Sequence, residues 1–204
     1  MERRRVSVNA RVDRRERSHE RILVSASRLL RARGISGARV ADVMEGAGLT
    51  VGGFYAHFDS KDALVAAALR RTAAETRARL FQRLDESPAG GRVEVVLKRY
   101  LCAAHRDAPA EGCPLPAVVG EVGAAAPEHG AVVGEQIEAM ARELEAIFPA
   151  DRAIPGHARA LGLVALMYGG LSLSRALRGT AVSDEVLKAC RTLGACAARC
   201  GAKT

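Results

Sequence analysis

Apolar residues recur at helical spacing along most of this chain, and no β-branched run alternates over the length of a strand. Ile22, Leu23, Ala26, Leu29 and Leu30 form one stripe, which predicts a helix from about Arg17 to Arg33 that Gly34 ends. Val40, Val43, Met44 and Ala47 share the next apolar face. Gly46 and Gly48 break that helix, because glycine accepts the backbone that ends helices. Thr50 is then an N-cap candidate for a short helix from about Val51 to Phe58, with Phe54 and Phe58 at i and i+4. Ser60 is the expected cap of a long helix from about Lys61 to Leu84.

The second half repeats the helical pattern after the loop Ser87-Pro88-Ala89-Gly90-Gly91. A helix from about Arg92 to Arg106 carries Val93, Val96, Leu97, Tyr100, Leu101 and Ala104 on one face. Pro109, Pro114 and Pro116 forbid its continuation, and a short helical turn is expected over 117–122. Pro127 opens a helix striped with Val133, Ile137, Met140, Ala141, Leu144, Ile147 and Phe148, which Pro149–Pro155 closes. Two helices, about 156–177 and 183–199, finish an all-α chain. The first of these is apolar nearly all round. With Gly162, Gly169, Gly170 and many alanines it suits close helix contact across a subunit interface.

The stretch Arg39–Lys61 has the parts of a helix-turn-helix: a helix, a glycine turn and a second short helix. On spacing alone an ordinary αα-hairpin fits as well. Residue by residue, Gly34, Val43, Ala47-Gly48-Leu49-Thr50, Gly52, Phe54-Tyr55, His57-Phe58, Ser60-Lys61 and Leu64 resemble the DNA-binding domain of the TetR family of bacterial repressors. The resemblance covers about Arg17 to Leu80. Gly53 departs from it, since the family more often has a side chain there. The resemblance implies a three-helix helix-turn-helix DNA-binding domain followed by a helical ligand-binding and dimerisation domain. The chain is expected to divide into a basic, disordered arm at 1–15, a DNA-binding domain at 16–78 and a C-terminal domain at 79–204. It also implies that the last two helices of each protomer pair in a homodimer.

Carried onto matching positions, the resemblance makes Thr50 a cap that reaches a phosphate and sets Val51 and Gly52 against base edges. Gly53 sits beside them. Tyr55 and His57 would contact phosphate or base, Lys61 a phosphate, and Arg39 a further phosphate. With so little side chain at the tip, apolar contact with thymine methyls and reading of DNA shape are expected to outweigh hydrogen bonds to bases.

Charge agrees with this reading. The 204 residues carry a net +8, and residues 1–33 alone hold eleven Arg against four acids. The segment 107–151 is the opposite, with nine acids against Arg142. A basic arm beside a helix-turn-helix suits double-stranded DNA, and such binding falls with salt. The charged N-terminus has no apolar stretch of the secretory kind, so a cytoplasmic protein is expected. The longest uncharged apolar run, Ala160–Ser174, is 15 residues, short of the ~20 that span a bilayer. No membrane partner is expected.

Cys102, Cys113, Cys190, Cys196 and Cys200 are odd in number, which argues against a disulfide framework. No cofactor or metal is expected, and no nucleophile motif, phosphate loop or H-E-x-x-H supports an enzyme. Cys113 lies in Gly112-Cys113-Pro114-Leu115. That segment resembles a branch of the TetR family in which some members sense electrophiles or oxidants through a cysteine. The expected function is a repressor that binds a palindromic operator and is released by a small hydrophobic effector. Candidate ligand-binding residues are Leu97, Tyr100, Leu101, Cys113, Met140, Leu144 and Tyr168. The alternatives are a thiol-based redox sensor acting through Cys113, or a protein-interaction module.

Overall fold

The computed structural model describes residues 2–148 and 155–199, with side chains from residue 13 onward. Nine α-helices and five 3-10 turns make up the described residues, with no strand among them. Helix α1 runs Glu2–Arg33, so it starts well before the expected Arg17. Its sequence holds no glycine or proline that would stop it. Ile22, Ala26 and Leu30 bury its stripe, and Gly34 ends it with φ +70°.

Helix α2 (Val40–Gly46) buries Val43 and Met44. Of its two glycines only Gly48 has positive φ, at +64°. Gly46 is there for approach: a Cβ on it would stand 2.4 Å from the Ser25 Oγ of α1. The next element is a 3-10 helix over Val51–Ala56 rather than an α-helix to Phe58. Gly52 and Gly53 remove the side-chain packing and low backbone entropy that favour the α form. Thr50 does not cap it through its side chain, whereas Ser60 accepts a bond of 3.0 Å from the Ala63 N–H and caps α3 (Lys61–Phe81).

The expected helix over 92–106 is split into α4 (Arg92–Tyr100) and α5 (Ala103–Asp107), with Leu101 at ψ 65°. Side chains take the carbonyls freed by the break. The His105 Nδ1–H donates to Tyr100 O at 2.7 Å, and Arg191 donates to Leu101 O. Helix α6 (Leu115–Ala124) is longer than the turn expected there, with Pro116 tolerated in its first turn. Then come α7 (Gly130–Glu145), α8 (Gly156–Ala176) and α9 (Ala181–Arg199). The closing segment expected at Pro149–Pro155 lies, apart from Pro155, outside the described residues, as does Cys200.

Helix α3 joins the two halves. Leu64, Val65, Ala68 and Leu69 belong with the N-terminal helices, and Leu80 lies towards α4, all in one buried cluster that runs from Ile22 to Ala198. At the N-terminal end, Arg71 bridges Glu20 of α1 and Glu75, and Arg31 also reaches Glu75 at 2.6 Å. Arg70 pairs with Glu135, and Arg77 with Glu143 and Gln136, which ties α3 to α7. One further contact crosses the halves: the Glu121 carboxylate of α6 accepts from the backbone N–H groups of Ile35 and Ser36 at 3.0 and 2.8 Å.

Helices α8 and α9 pack on each other, but not with the whole of their apolar surface. Gly162, Ala165, Gly169 and Leu173 of α8 face outward, with Leu177 just after it and Val182 and Leu193 of α9. The buried face of α9 runs through Ser183, Leu187, Gly194 and Ala198, which leaves Leu193 outside it. Among the described residues no helix is long and apolar enough to cross a membrane.

Candidate nucleic-acid interface

The 3-10 helix is held from behind by Phe54 and Phe58, both buried, and by Met44. Phe54 and Phe58 stand 6.0 Å apart, and His19 of α1 stacks on Phe58 at 4.5 Å. Two arginines of α1 hold it and the turn before it: Arg15 donates to Ala56 O at 3.0 Å and Arg21 to Gly48 O at 3.4 Å. What this scaffold presents outward is Thr50, Val51, Gly52 and Tyr55, the last 76% exposed. Gly52 faces open space, and a Cβ on Gly53 would make ordinary contact with Met44 Cε at 3.9 Å. The tip is therefore a low, side-chain-poor ridge that a groove floor can approach closely.

Cationic groups flank the ridge. Arg39 is exposed and held by Asp42 at 2.8 and 3.1 Å, which fixes its guanidinium at the start of α2. Lys61 lies in the first turn of α3, beside free backbone N–H groups that favour a phosphate. His57 is turned inward instead. Burial lowers its pKa, helped by the nearby His19 and Arg15, so at neutral pH it is an uncharged imidazole. Its Nδ1 is buried without a hydrogen-bond partner. The arginines of α1 that grip the turn, and the stacked His19, were not singled out from the sequence. Their positions follow only once α1 crosses the helix-turn-helix.

The seven candidate ligand-binding residues lie together in the C-terminal core, each 8% exposed or less. Within them is a polar knot. Tyr100 stacks edge-on against His105 at 4.6 Å and lies 5.8 Å from Tyr168. His105 Nε2 accepts from the Cys113 N–H at 2.9 Å, and Arg175 donates to His105 O at 3.0 Å. The Tyr100 hydroxyl and Arg175 Nε find no partner of good geometry. Burial raises the Cys113 thiol above its ordinary pKa, against the stabilising influence of Tyr100. A reactive cysteine needs the reverse, exposure and a lowered pKa. A surface cleft of about 290 Å³, lined by Thr76, Arg79, Leu80, Arg99 and His105 among others, opens beside this knot.

His105 must be neutral here, since one ring nitrogen donates and the other accepts. Burial lowers its pKa to about 4. The folded state therefore binds fewer protons than the unfolded state between pH 4 and 6.5. Its contribution is intact above pH 6.5 and is lost as pH falls toward 4, up to about 3 kcal/mol. Urea midpoints at pH 7 and pH 4.5 should differ distinctly less in His105→Gln than in the original protein. An unchanged difference would show that His105 does not titrate in this way.

A helix-turn-helix on an otherwise helical body is an architecture that DNA-binding transcriptional regulators use. Residues 22–68 match the family described as bacterial regulatory proteins, tetR family. The fold is similar over almost the whole chain to a TetR-family transcriptional regulator from Cytophaga hutchinsonii (TM-score 0.76, 23% identity, 94% of this chain and 98% of that one). It is also similar to a TetR transcriptional regulator from Chloroflexus aurantiacus J-10-FL (0.74, 23%, 90% and 95%). A third similar structure is the reduced form of E. coli NemR (0.70, 19%, 86% and 95%). No curated protein matches. Residues 22–68 thus carry the DNA-binding segment of TetR-family regulators, and the rest of the chain shares their fold.

Proposed function

We propose that this chain is a homodimeric repressor that binds a palindromic operator in double-stranded DNA and is released by a small hydrophobic effector. The observation that carries the DNA reading is the exposed ridge Thr50-Val51-Gly52 with Tyr55, rigidly backed by buried aromatics and flanked by Arg39 and Lys61. The effector reading is supported by the polar knot inside the apolar C-terminal core. The Tyr100 hydroxyl meets only the Cys113 thiol there, Arg175 Nε has no hydrogen-bond partner, and a cleft opens beside His105. An apolar molecule with one polar group would suit it. Helix α6 starts at this knot with Leu115 and ends near Glu121, which holds the turn before α2. Movement of α6 is then a direct route from core to DNA-binding half.

Redox sensing through Cys113 is the second reading. It resembles that of a family branch through residues 112–115 only, and the burial of Cys113 weighs against it. Cys113→Ser should leave any response to oxidant unchanged if the effector reading holds.

Binding to labelled duplexes from the protein's own upstream region, measured across salt concentrations, tests the main reading. One sequence should bind far tighter than the rest, with log K falling linearly against log salt. Lys61→Ala should weaken binding to every duplex alike and reduce that slope by about 1. Absence of binding at low salt would overturn the reading, and an unchanged slope would remove Lys61 from the interface.

A further inference from the structure

Three ligating groups meet where the two halves of the chain adjoin. Asp62 stands in the first turn of α3, directly after the DNA-facing ridge. Glu128 and His129 form the 3-10 turn Pro127–His129, which leads into α7 of the C-terminal half. Glu128 and His129 are adjacent but lie 66 and 67 positions after Asp62, so no spacing motif announces the three. One ligand atom from each lies within 4.8 Å of the others. His129 Nε2 is 3.5 Å from Asp62 Oδ1 and 3.8 Å from Glu128 Oε1.

His129 is the group that distinguishes this cluster from ordinary surface acids. Its side chain is 3% exposed, while both carboxylates reach solvent. Its Nε2 is buried without a hydrogen-bond partner. A buried imidazole nitrogen left unpaired and directed at two carboxylates is costly to a fold unless something sits between them. At a metal–ligand distance of about 2.1 Å, atoms of a tetrahedral shell stand about 3.4 Å apart, close to the separations observed.

From this geometry we infer a divalent metal site formed by Asp62, Glu128 and His129. One imidazole and two carboxylates suit a first-row ion of mixed preference, such as Zn²⁺, Mn²⁺ or Co²⁺, better than a soft ion that seeks thiolate. Three protein ligands leave a coordination position for water or a small anion. The ion neutralises the two carboxylates and supplies the missing partner of Nε2. It also ties the first turn of α3 to the start of α7, so it fixes the DNA-facing ridge relative to the C-terminal half.

Titration of the untagged, metal-free protein with Co²⁺, followed by absorption spectroscopy and calorimetry, tests this without reference to DNA. One ion should bind per chain, with a nitrogen and oxygen spectrum and no thiolate charge-transfer band. Asp62→Asn and Glu128→Gln alter exposed side chains and should leave the fold intact. Each should weaken Co²⁺ binding by at least about 10-fold. The same ion should raise the melting temperature of the original protein and not of the variants. No binding up to millimolar Co²⁺ would overturn the site. So would affinity unchanged in both variants, or a thiolate band, because the ion would then sit elsewhere.

Discussion

Replacing Leu173 and Leu193 together by arginine should yield a monomer whose affinity for the operator falls by about 100- to 10,000-fold. Both side chains are more than half exposed, on helices whose other faces pack into the core. Around them lie Gly162, Ala165, Gly169, Leu177 and Val182, which make an apolar, small-residue face that a second copy of α8 and α9 can meet closely. Two arginines opposed to their symmetry mates would bury unpaired like charge there. Monomers lose the effective concentration that links the two half-sites, which sets the size of the fall. Sedimentation and operator titration on the same samples check both parts. Val24→Arg, an exposed apolar position on α1, is the control and should stay dimeric. A double variant that remains a dimer would place the subunit contact elsewhere.

Gly34→Ala should destabilise the protein by about 3 kcal/mol, with a fall in Tm of about 6–12 °C. Two causes act at one residue. Gly34 has φ +70°, where an alanine is strained by about 1–2 kcal/mol. Its Cβ would also stand 1.6 Å from Glu121 Oε1, so the carboxylate must leave the N–H groups of Ile35 and Ser36. Losing charge-assisted bonds of this kind costs about another 1.5–3 kcal/mol. The two causes separate in the Glu121→Ala background. There the collision is gone and Gly34→Ala should cost only the backbone strain. Equal costs in both backgrounds would show that Glu121 moves aside freely. Operator affinity should fall as well, since the turn that Glu121 holds sets the entry of α2.

Much of this architecture was readable from residue pattern. Ile22, Ala26 and Leu30, then Val43, Met44 and Ala47, are buried as their spacing required. Gly34 and Gly48 stand at the positive-φ turns that the helix breaks demanded. The readings that failed did so where a distant partner decided the outcome. The apolar face over Arg92–Arg106 has continuous helical period, yet the backbone turns at Leu101 because His105 and Arg191 take the freed carbonyls. Thr50 has the chemistry of a cap, but the glycines after it give a 3-10 turn in which its hydroxyl does not cap. Leu193 is large and apolar yet faces out, because the face of α9 that packs inward runs through Leu187, Gly194 and Ala198. For the residues proposed to face DNA, local pattern gave the helix, turn and short helix that form the ridge. The grip of Arg15 and Arg21 on it depends on how α1 crosses, which no window of sequence contains.

The unbroken buried cluster through α3 bears on how the molecule comes apart. The proposed boundary near residue 78 would separate two jobs, but the buried cluster does not divide there. Val65 and Leu69 share one packed interior with Leu97 and Leu144, so loosening either half strips cover from the other. Such a chain melts as a single cooperative unit rather than in two steps. Heat or denaturant would then silence the DNA-facing ridge at the same point at which the C-terminal interior gives way. The stability of the regulator and its grip on DNA would thus be selected as one property.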